Sequence, residues 1–163
     1  MDLNSQIASL SALNRTIVNL SQIELPYKRS DFAVEKNQII VDDRGELNVF
    51  QLSEFKSFNI KRIFTHQNIP HGIIRGGHAH EKCVQYLTAL SGKCTLNILT
   101  RDGIISLILD TPHYGVLIKP GTWIYQEDFS ENCVVLVLAS ENYESTDYIF
   151  ELPVVAQSVI DIS

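Results

Sequence analysis

Residues 72–80 read Gly-Ile-Ile-Arg-Gly-Gly-His-Ala-His, so that two histidines, His78 and His80, stand two residues apart. Successive side chains of a β-strand point to opposite faces of its sheet. If this segment is a strand, both imidazoles therefore lie on one face. A pair of this kind is also common on solvated strands, so its meaning depends on the surrounding sequence.

The sequence from Gln38 onward breaks into short β-rich runs, the pattern of a sandwich or closed barrel. The predicted strands are residues 38–41, 47–52, 61–66, 73–80, 84–90, 94–100, 104–109, 115–118, 122–126, 133–139 and 147–151. Turn dipeptides separate many of them: Arg44-Gly45, Ser91-Gly92, Asp102-Gly103 and Pro120-Gly121. No strand alternates with a long helix, which disfavours a doubly wound parallel sheet. We predict an all-β fold, an antiparallel meander or jelly roll.

The pattern of apolar and polar residues changes near residue 38. Before it, Leu3, Ile7, Leu10 and Ile17 recur at steps of three, four or seven residues, which predicts a short amphipathic helix. We divide the chain into an N-terminal extension, residues 1–37, and a barrel domain, residues 38–163. The extension is expected to be a cap on the barrel or an arm of a dimer.

Composition restricts the classes of protein to which the chain can belong. Hydrophobic residues make up 45% of the 163 residues and charged residues 20%, as in one ordinary globular domain. No apolar run reaches the roughly 20 residues of a membrane span, and the start shows no export signal, so we expect a cytoplasmic protein without a membrane partner. Cys83, Cys94 and Cys133 lack metal-type spacing and are expected to be reduced core residues. A net charge of −6 opposes nonspecific nucleic-acid binding.

The spacing around the histidines, G-x5-H-x-H-x4-Q-x6-G, resembles the first motif of the cupin β-barrels. In many cupins a carboxylate completes a metal site with the histidines, but here the corresponding residue is Gln85, a neutral amide. The position expected for a third histidine falls near Tyr125. We therefore predict that the histidines hold no metal.

Without a metal, two imidazoles suit proton transfer, because their ordinary pKa of about 6.5 lets them accept or donate protons near neutrality. Arg75 adjoins the pair, and Lys61 and Arg62 lie on a predicted neighbouring strand. Guanidinium groups bind phosphate oxygens in bidentate fashion. The sequence thus indicates acid/base chemistry on an anionic, phosphorylated small molecule.

Further segments narrow the resemblance to one family. They are Arg75-Gly76-Gly77-His78-Ala79-His80-Glu81-Lys82, Gln85, Leu90-Ser91-Gly92, Pro120-Gly121-Thr122-Trp123, Asp128-Phe129-Ser130, Val137-Leu138-Ala139-Ser140 and Thr146-Asp147-Tyr148-Ile149. From about Gln38 to Glu151 the chain resembles the dTDP-4-keto-6-deoxyglucose 3,4-ketoisomerases, the WxcM-like family of cupins. Residues 1–37 lie outside this resemblance.

The resemblance implies a homodimeric isomerase of deoxysugar biosynthesis, for lipopolysaccharide or another glycan, that needs no cofactor. Such an enzyme moves a carbonyl from C4 to C3 of a dTDP-linked 4-keto-6-deoxyhexose. A hydrogen beside a ketone is acidic, so a base can remove it to form an enediol. Protonation of the neighbouring carbon then completes the isomerisation.

The resemblance also implies roles for individual residues. His80 would be the base at C3 and His78 the partner that shuttles protons between the oxygens or to C4, although the order could be reversed. The implied substrate contacts are Arg75 near the diphosphate or sugar, Arg62, Gln85 at a sugar hydroxyl, and Trp123 and Tyr125.

Two departures from the family pattern bear on the substrate, the stereochemical outcome and the activity that the resemblance implies. Family members carry tyrosines just after the Lys-Arg pair, where this chain reads Ile63-Phe64-Thr65-His66. They also carry histidine after the tryptophan, where this chain has Ile124. We interpret His66 as a surface histidine, the alternative being that it replaces the lost polar group.

Three other functions remain open at this point. A sugar 3,5-epimerase would also use a barrel histidine as base, but it would want a tyrosine acid across the site. A noncatalytic sugar-nucleotide-binding cupin would bind without turnover. A metal-dependent cupin enzyme would contain stoichiometric metal.

Overall fold

The computed structural model describes residues 2–54 and 58–154. The α-helix α1 is Leu3–Ser9. The strands are β1 Arg15–Asn19, β2 Tyr27–Lys28, β3 Phe32–Lys36, β4 Gln38–Asp42, β5 Gly45–Val49, β6 Arg62–Gln67, β7 Arg75–His80, β8 Gln85–Ser91, β9 Cys94–Thr100, β10 Gly103–Leu109, β11 Tyr114–Ile118, β12 Ile124–Glu127, β13 Val134–Ala139 and β14 Tyr148–Ile149. Short 3-10 turns follow at Leu10–Ala12, Leu20–Gln22, Leu52–Glu54 and Ser145–Asp147.

These strands form two six-stranded sheets and one hairpin. The order in the first sheet is β1-β10-β9-β12-β7-β14, and in the second it is β2-β3-β11-β8-β13-β6. Strands β4 and β5 pair only with each other. All of these pairings are antiparallel except that of β1 with β10, which is parallel. The predicted all-β jelly roll is confirmed.

The main core lies between the two sheets, because alternate apolar residues of each sheet point inward. The second sheet contributes Leu87 and Val135, and the first contributes Leu96 and Ile98, all almost fully buried. Cys83, Cys94 and Cys133 are buried and free, as predicted. Leu87 and Ile124 also line a cavity, so the functional site lies beside this core.

The N-terminal region is only partly helical. The predicted helix is confirmed in α1, whose first turn is capped by the Asp2 side chain accepting from Ser5 N at 2.9 Å. Ile17, however, is not helical: it lies in β1, where its side chain is 64% exposed. Its seven-residue step from Leu10 fitted a helix, but pairing with β10 determines the local structure.

Strands from both sides of the proposed boundary near residue 38 share the sheets. Strand β1 pairs with β10, and β3 pairs with β11, with Phe32 fully buried in the core. The division into an extension of residues 1–37 and a barrel of residues 38–163 stays a prediction. Residues 155–163 of that predicted barrel lie outside the described residues. In the described part of the chain, no helix has the length and apolar character needed to cross a bilayer.

Candidate active site

The two histidines are neighbours on β7, between β12 and β14. His78 lies opposite Ile124, and His80 lies opposite Tyr148. The imidazole centroids are 4.9 Å apart and the rings are nearly perpendicular. The predicted placement of both rings on one face is confirmed.

Glycine at position 76 permits the close approach of β7 to β12 beside this pair. Gly76 has a φ of +81°, and a Cβ there would lie 3.1 Å from the carbonyl oxygen of Ile124. The register shifts at this point, between Ile124 and Tyr125. A larger residue would both strain the backbone and push the strands apart.

His80 is held at both ring nitrogens and is only 6% exposed. Its Nε2 is 3.1 Å from the Gln85 amide nitrogen, which can only donate, and its Nδ1 is 2.9 Å from Asp147 Oδ2. The ring therefore carries its proton on Nδ1, donates it to Asp147, and keeps the Nε2 lone pair. Burial lowers the pKa of His80, while Asp147 opposes that shift. The result is an oriented neutral base.

Asp147 is itself fixed on both oxygens. Oδ1 accepts the backbone N–H of Lys82 at 2.8 Å, while Oδ2 accepts the Nδ1–H of His80. The backbone carbonyl of Asp147 accepts the N–H of Glu81 at 2.9 Å. The turn after β7 thus holds the carboxylate against the imidazole.

His78 is half-buried among aromatic rings. Its centroid is 4.7 Å from that of Tyr148 and 6.1 Å from that of Phe150. Burial, followed by the nearby His80, lowers the pKa of His78 to about 4. At neutral pH both histidines of the pair are therefore uncharged.

A cavity of about 350 Å³ opens between the two sheets beside the histidines. Of the predicted site residues, His78, Arg75 and Gln85 line it. His80 lies behind Gln85. The remaining polar lining comes from His66, Gln126 and Tyr148.

His66 lies on the cavity wall, so its interpretation as a surface histidine is wrong. The side chain is half-buried, and its Nδ1 is 2.8 Å from Gln126 Oε1. Burial, and then the positive charge of Arg75, lower the pKa of His66.

Arg62 lies at the margin of the cavity rather than in its lining. Its guanidinium carbon is 5.0 Å from the centroid of Phe64, which does line the cavity, and 5.7 Å from that of Tyr143. Its charge contributes to the lowered pKa of His80.

Trp123 and Tyr125 do not line this cavity, and their role as substrate contacts stays a prediction. Ile124 and Gln126 of the same segment line the cavity, so by strand alternation their neighbours point outward. Both aromatic side chains are almost fully buried in a second apolar cluster with Leu10, against the N-terminal helix. The Tyr125 hydroxyl accepts from Arg15 at 3.0 Å.

The described residues contain one group with possible metal donors. His80, Cys83 and Asp147 offer ligand atoms within 4.8 Å of one another, but His80 Nδ1 is already satisfied by the carboxylate. At the position where a third cupin histidine was sought, the inward side chain is that of Ile124. The expected absence of a metal stays a prediction.

Asp147 and Tyr148 were not assigned roles from the sequence. Both belong to the Thr146–Ile149 segment that contributed to the family resemblance. Their place beside the histidines depends on the pairing of β14 with β7 across the fold. The likeness of this segment to the family was the sequence signal that pointed to these two residues.

Comparisons with known proteins agree with this geometry. The family model described as "FdtA: WxcM-like, C-terminal" matches residues 30–158. The chain is similar to a TDP-4-oxo-6-deoxy-alpha-D-glucose-3,4-oxoisomerase from Aneurinibacillus thermoaerophilus, at 37% identity over 110 residues, which are 68% of this chain and 79% of the relative.

Solved structures show the same likeness. One is QdtA, a sugar 3,4-ketoisomerase from Thermoanaerobacterium thermosaccharolyticum in complex with TDP, with a TM-score of 0.73 and 32% identity over 82% of this chain and 97% of that one. Another is the WlaRB TDP-quinovose 3,4-ketoisomerase from Campylobacter jejuni, with a TM-score of 0.71 and 26% identity over 82% of this chain and 99% of that one.

Proposed function

The chain belongs to the WxcM-like family, represented by FdtA, and we propose that it is a 3,4-ketoisomerase that converts a dTDP-linked 4-keto-6-deoxyhexose into its 3-keto isomer. The observation that carries this proposal is the His78–His80 pair, in which His78 lines the cavity and His80, beside it, is oriented by Asp147 and Gln85. Proton transfer alone accomplishes the isomerisation, and imidazole side chains can accept and donate the protons.

The reaction begins at C3 of the sugar, where the C4 carbonyl makes the hydrogen acidic. His80 removes this proton through Nε2, because its Nδ1 proton is held by Asp147. Gln85 stands between Nε2 and the cavity and exchanges this contact for a sugar hydroxyl when substrate binds. The electron pair of the C–H bond then forms the C3–C4 double bond of the enediol.

His78 shuttles protons between this base and the sugar oxygens. It touches His80 by ring contact and lines the cavity. Its pKa of about 4 keeps it neutral, so it can pass a proton to O4 without an opposing charge.

The anionic part of the substrate needs a positive partner outside the reacting centre. Arg75 is exposed and lines the cavity, which supports a role for its guanidinium in binding the diphosphate. Arg62 supports the aromatic edge of the same cavity through Phe64. The relatives described above are ketoisomerases, and the Tyr148 that lines the cavity lies beside the histidines on the same sheet, not across the site as an epimerase acid would.

A direct test incubates the protein with dTDP-4-keto-6-deoxyglucose in deuterated water and follows the sugar by NMR. Ketoisomerisation removes the hydrogen from C3, adds deuterium at C4 and produces a 3-keto sugar. Deuterium at C5 would show an epimerase instead, and binding without exchange would show a noncatalytic protein.

We also propose that the protein is cytoplasmic and forms a homodimer. The dimer is supported by strand β6, which ends its sheet with the apolar Ile63 57% exposed. Light scattering measures the mass of the assembly directly. A monomer mass at all concentrations would contradict the dimer.

A further inference from the structure

The cavity receives imidazoles from both sheets. His78 lies on β7 of the first sheet, whereas His66 lies on β6 of the second, and both line the cavity. His66 has no part in the mechanism given above. His66 therefore adds a second imidazole to the cavity lining, on the wall that faces His78.

His66 and Gln85 lie at different levels along this cavity. On the second sheet, Gln85, the partner of His80, is level with Arg62, because both pair with Ala139. His66 lies four residues further along β6, about 13 Å at the usual strand rise. A sugar ring held in the cavity between β6 and β7 has His66 on one wall and His78, in ring contact with His80, on the other.

The contact of His66 with Gln126 sets which of its nitrogens carries the proton. Gln126 is 2% exposed, and its amide nitrogen points to Cys94 Sγ at 4.0 Å, which leaves Oε1 for His66 Nδ1 at 2.8 Å. An amide oxygen only accepts, so Nδ1 of His66 carries the hydrogen. Nε2 therefore keeps a lone pair, as it does in His80.

We propose that His66 is a further catalytic residue, which takes the proton from O3 of the enediol and delivers it to C4. This inference rests on the proposed ketoisomerase function and assigns the second half of that reaction.

The proton and electron balance closes without any other reactant. In the first half, His80 removes the C3 proton, which returns through His78 to O4, and the C–H electron pair becomes the C3–C4 double bond. In the second half, His66 Nε2 takes the O3 proton as the carbonyl forms at C3. The electron pair of the double bond then accepts that proton from His66 at C4, and every imidazole ends neutral.

The low basicity of His66 suits this step. Burial and Arg75 both lower its pKa, so the imidazolium formed by the O3 proton is a stronger acid than a free one. A strong acid beside the enediol carbon releases its proton readily.

The arrangement also sets the configuration of the product. His80 removes the proton from one face of the ring, and His66 adds one from the other. In a gluco-configured ring the hydrogens on C3 and C4 lie on opposite faces. The product is therefore the gluco-configured 3-keto sugar, with an equatorial hydroxyl at C4.

The test compares His66→Asn and His66→Phe with the wild type in deuterated water. The asparagine keeps a donor for Gln126, whereas the phenylalanine keeps the ring shape and removes every proton-transfer atom. His113→Asn is the matched control, because His113 is partly exposed and paired with Glu46 away from the cavity. Circular dichroism checks that each variant is folded.

Both His66 variants are expected to lose about 10²–10⁴-fold in product formation while still exchanging the substrate hydrogen at C3. His113→Asn should match the wild type, whose product should be gluco-configured. Near-wild-type product formation by the folded variants, equal loss of exchange and product, or an axial C4 hydroxyl would each overturn the role of His66. If the wild type itself forms no 3-keto sugar, the proposed function fails instead.

Discussion

Replacing Asp147 by asparagine is expected to reverse the proton arrangement of His80 with little change in the shape of the site. The amide has one accepting oxygen, and the backbone N–H of Lys82, now 2.8 Å from Oδ1, requires it. The amide nitrogen then faces His80 Nδ1 and donates to it. The imidazole proton consequently moves to Nε2, the atom that must act as the base, and the Gln85 amide turns its oxygen to accept it.

The size of the effect follows from the role of that atom. A positioned general base contributes about 10²–10⁴-fold to the rate, and a wrong tautomer removes this contribution. Since each tenfold corresponds to about 1.36 kcal/mol, the loss is about 2.7–5.4 kcal/mol of transition-state stabilisation. The carboxylate does not line the cavity, so substrate affinity should change little.

The assay measures kcat and KM for Asp147→Asn with dTDP-4-keto-6-deoxyglucose, together with exchange at C3. Glu144→Gln is the matched control, because it removes a carboxylate of the same surface region that has no part in the site. We expect lower kcat, unchanged KM and lost C3 exchange for Asp147→Asn alone. Wild-type kcat in a folded Asp147→Asn variant would refute the orientation of His80 by Asp147.

Three further results follow from the site. His80→Asn should lose about 10²–10⁴-fold in turnover but should still bind dTDP in calorimetry. His78→Asn should also turn over more slowly. Near-wild-type rates in both variants would reject the catalytic role of the pair. The pKa of His78 is about 4 in the folded protein and about 6.5 in the unfolded chain. Between these pH values the unfolded chain binds more protons than the folded protein. The free energy of unfolding should therefore fall as the pH drops from 6.5 towards 4. Urea titrations should show a shallower fall for His78→Gln, and an equal slope would contradict the buried neutral imidazole. Exhaustive chelation should leave activity unchanged, whereas a loss restored by one added metal would reject a metal-free mechanism.

Local pattern was sufficient for most of the barrel. Residues 94–100 were predicted as a strand and form β9 with the same bounds, because a turn dipeptide marks each side. Alternation likewise placed both imidazoles on one face. Ile17 was misassigned because a seven-residue step also fits a helix, whereas its structure depends on β10, nearly a hundred residues away.

Site residues that depend on tertiary pairing were harder to predict. Alternation alone does not say which face of β12 is inward, so Trp123 and Tyr125 were placed in the site although Ile124 and Gln126 line it. The partnership of Asp147 with His80 spans 67 residues of sequence.

The most direct test of the account follows the carbonyl itself. dTDP-4-keto-6-deoxyglucose labelled with carbon-13 at C3 and C4 is incubated with the wild type and with His80→Asn, and the carbonyl resonance is observed over time. The account predicts that the resonance moves from C4 to C3 with the wild type and stays at C4 with the folded variant. A resonance that stays at C4 with the wild type, or moves equally fast with the variant, would contradict it.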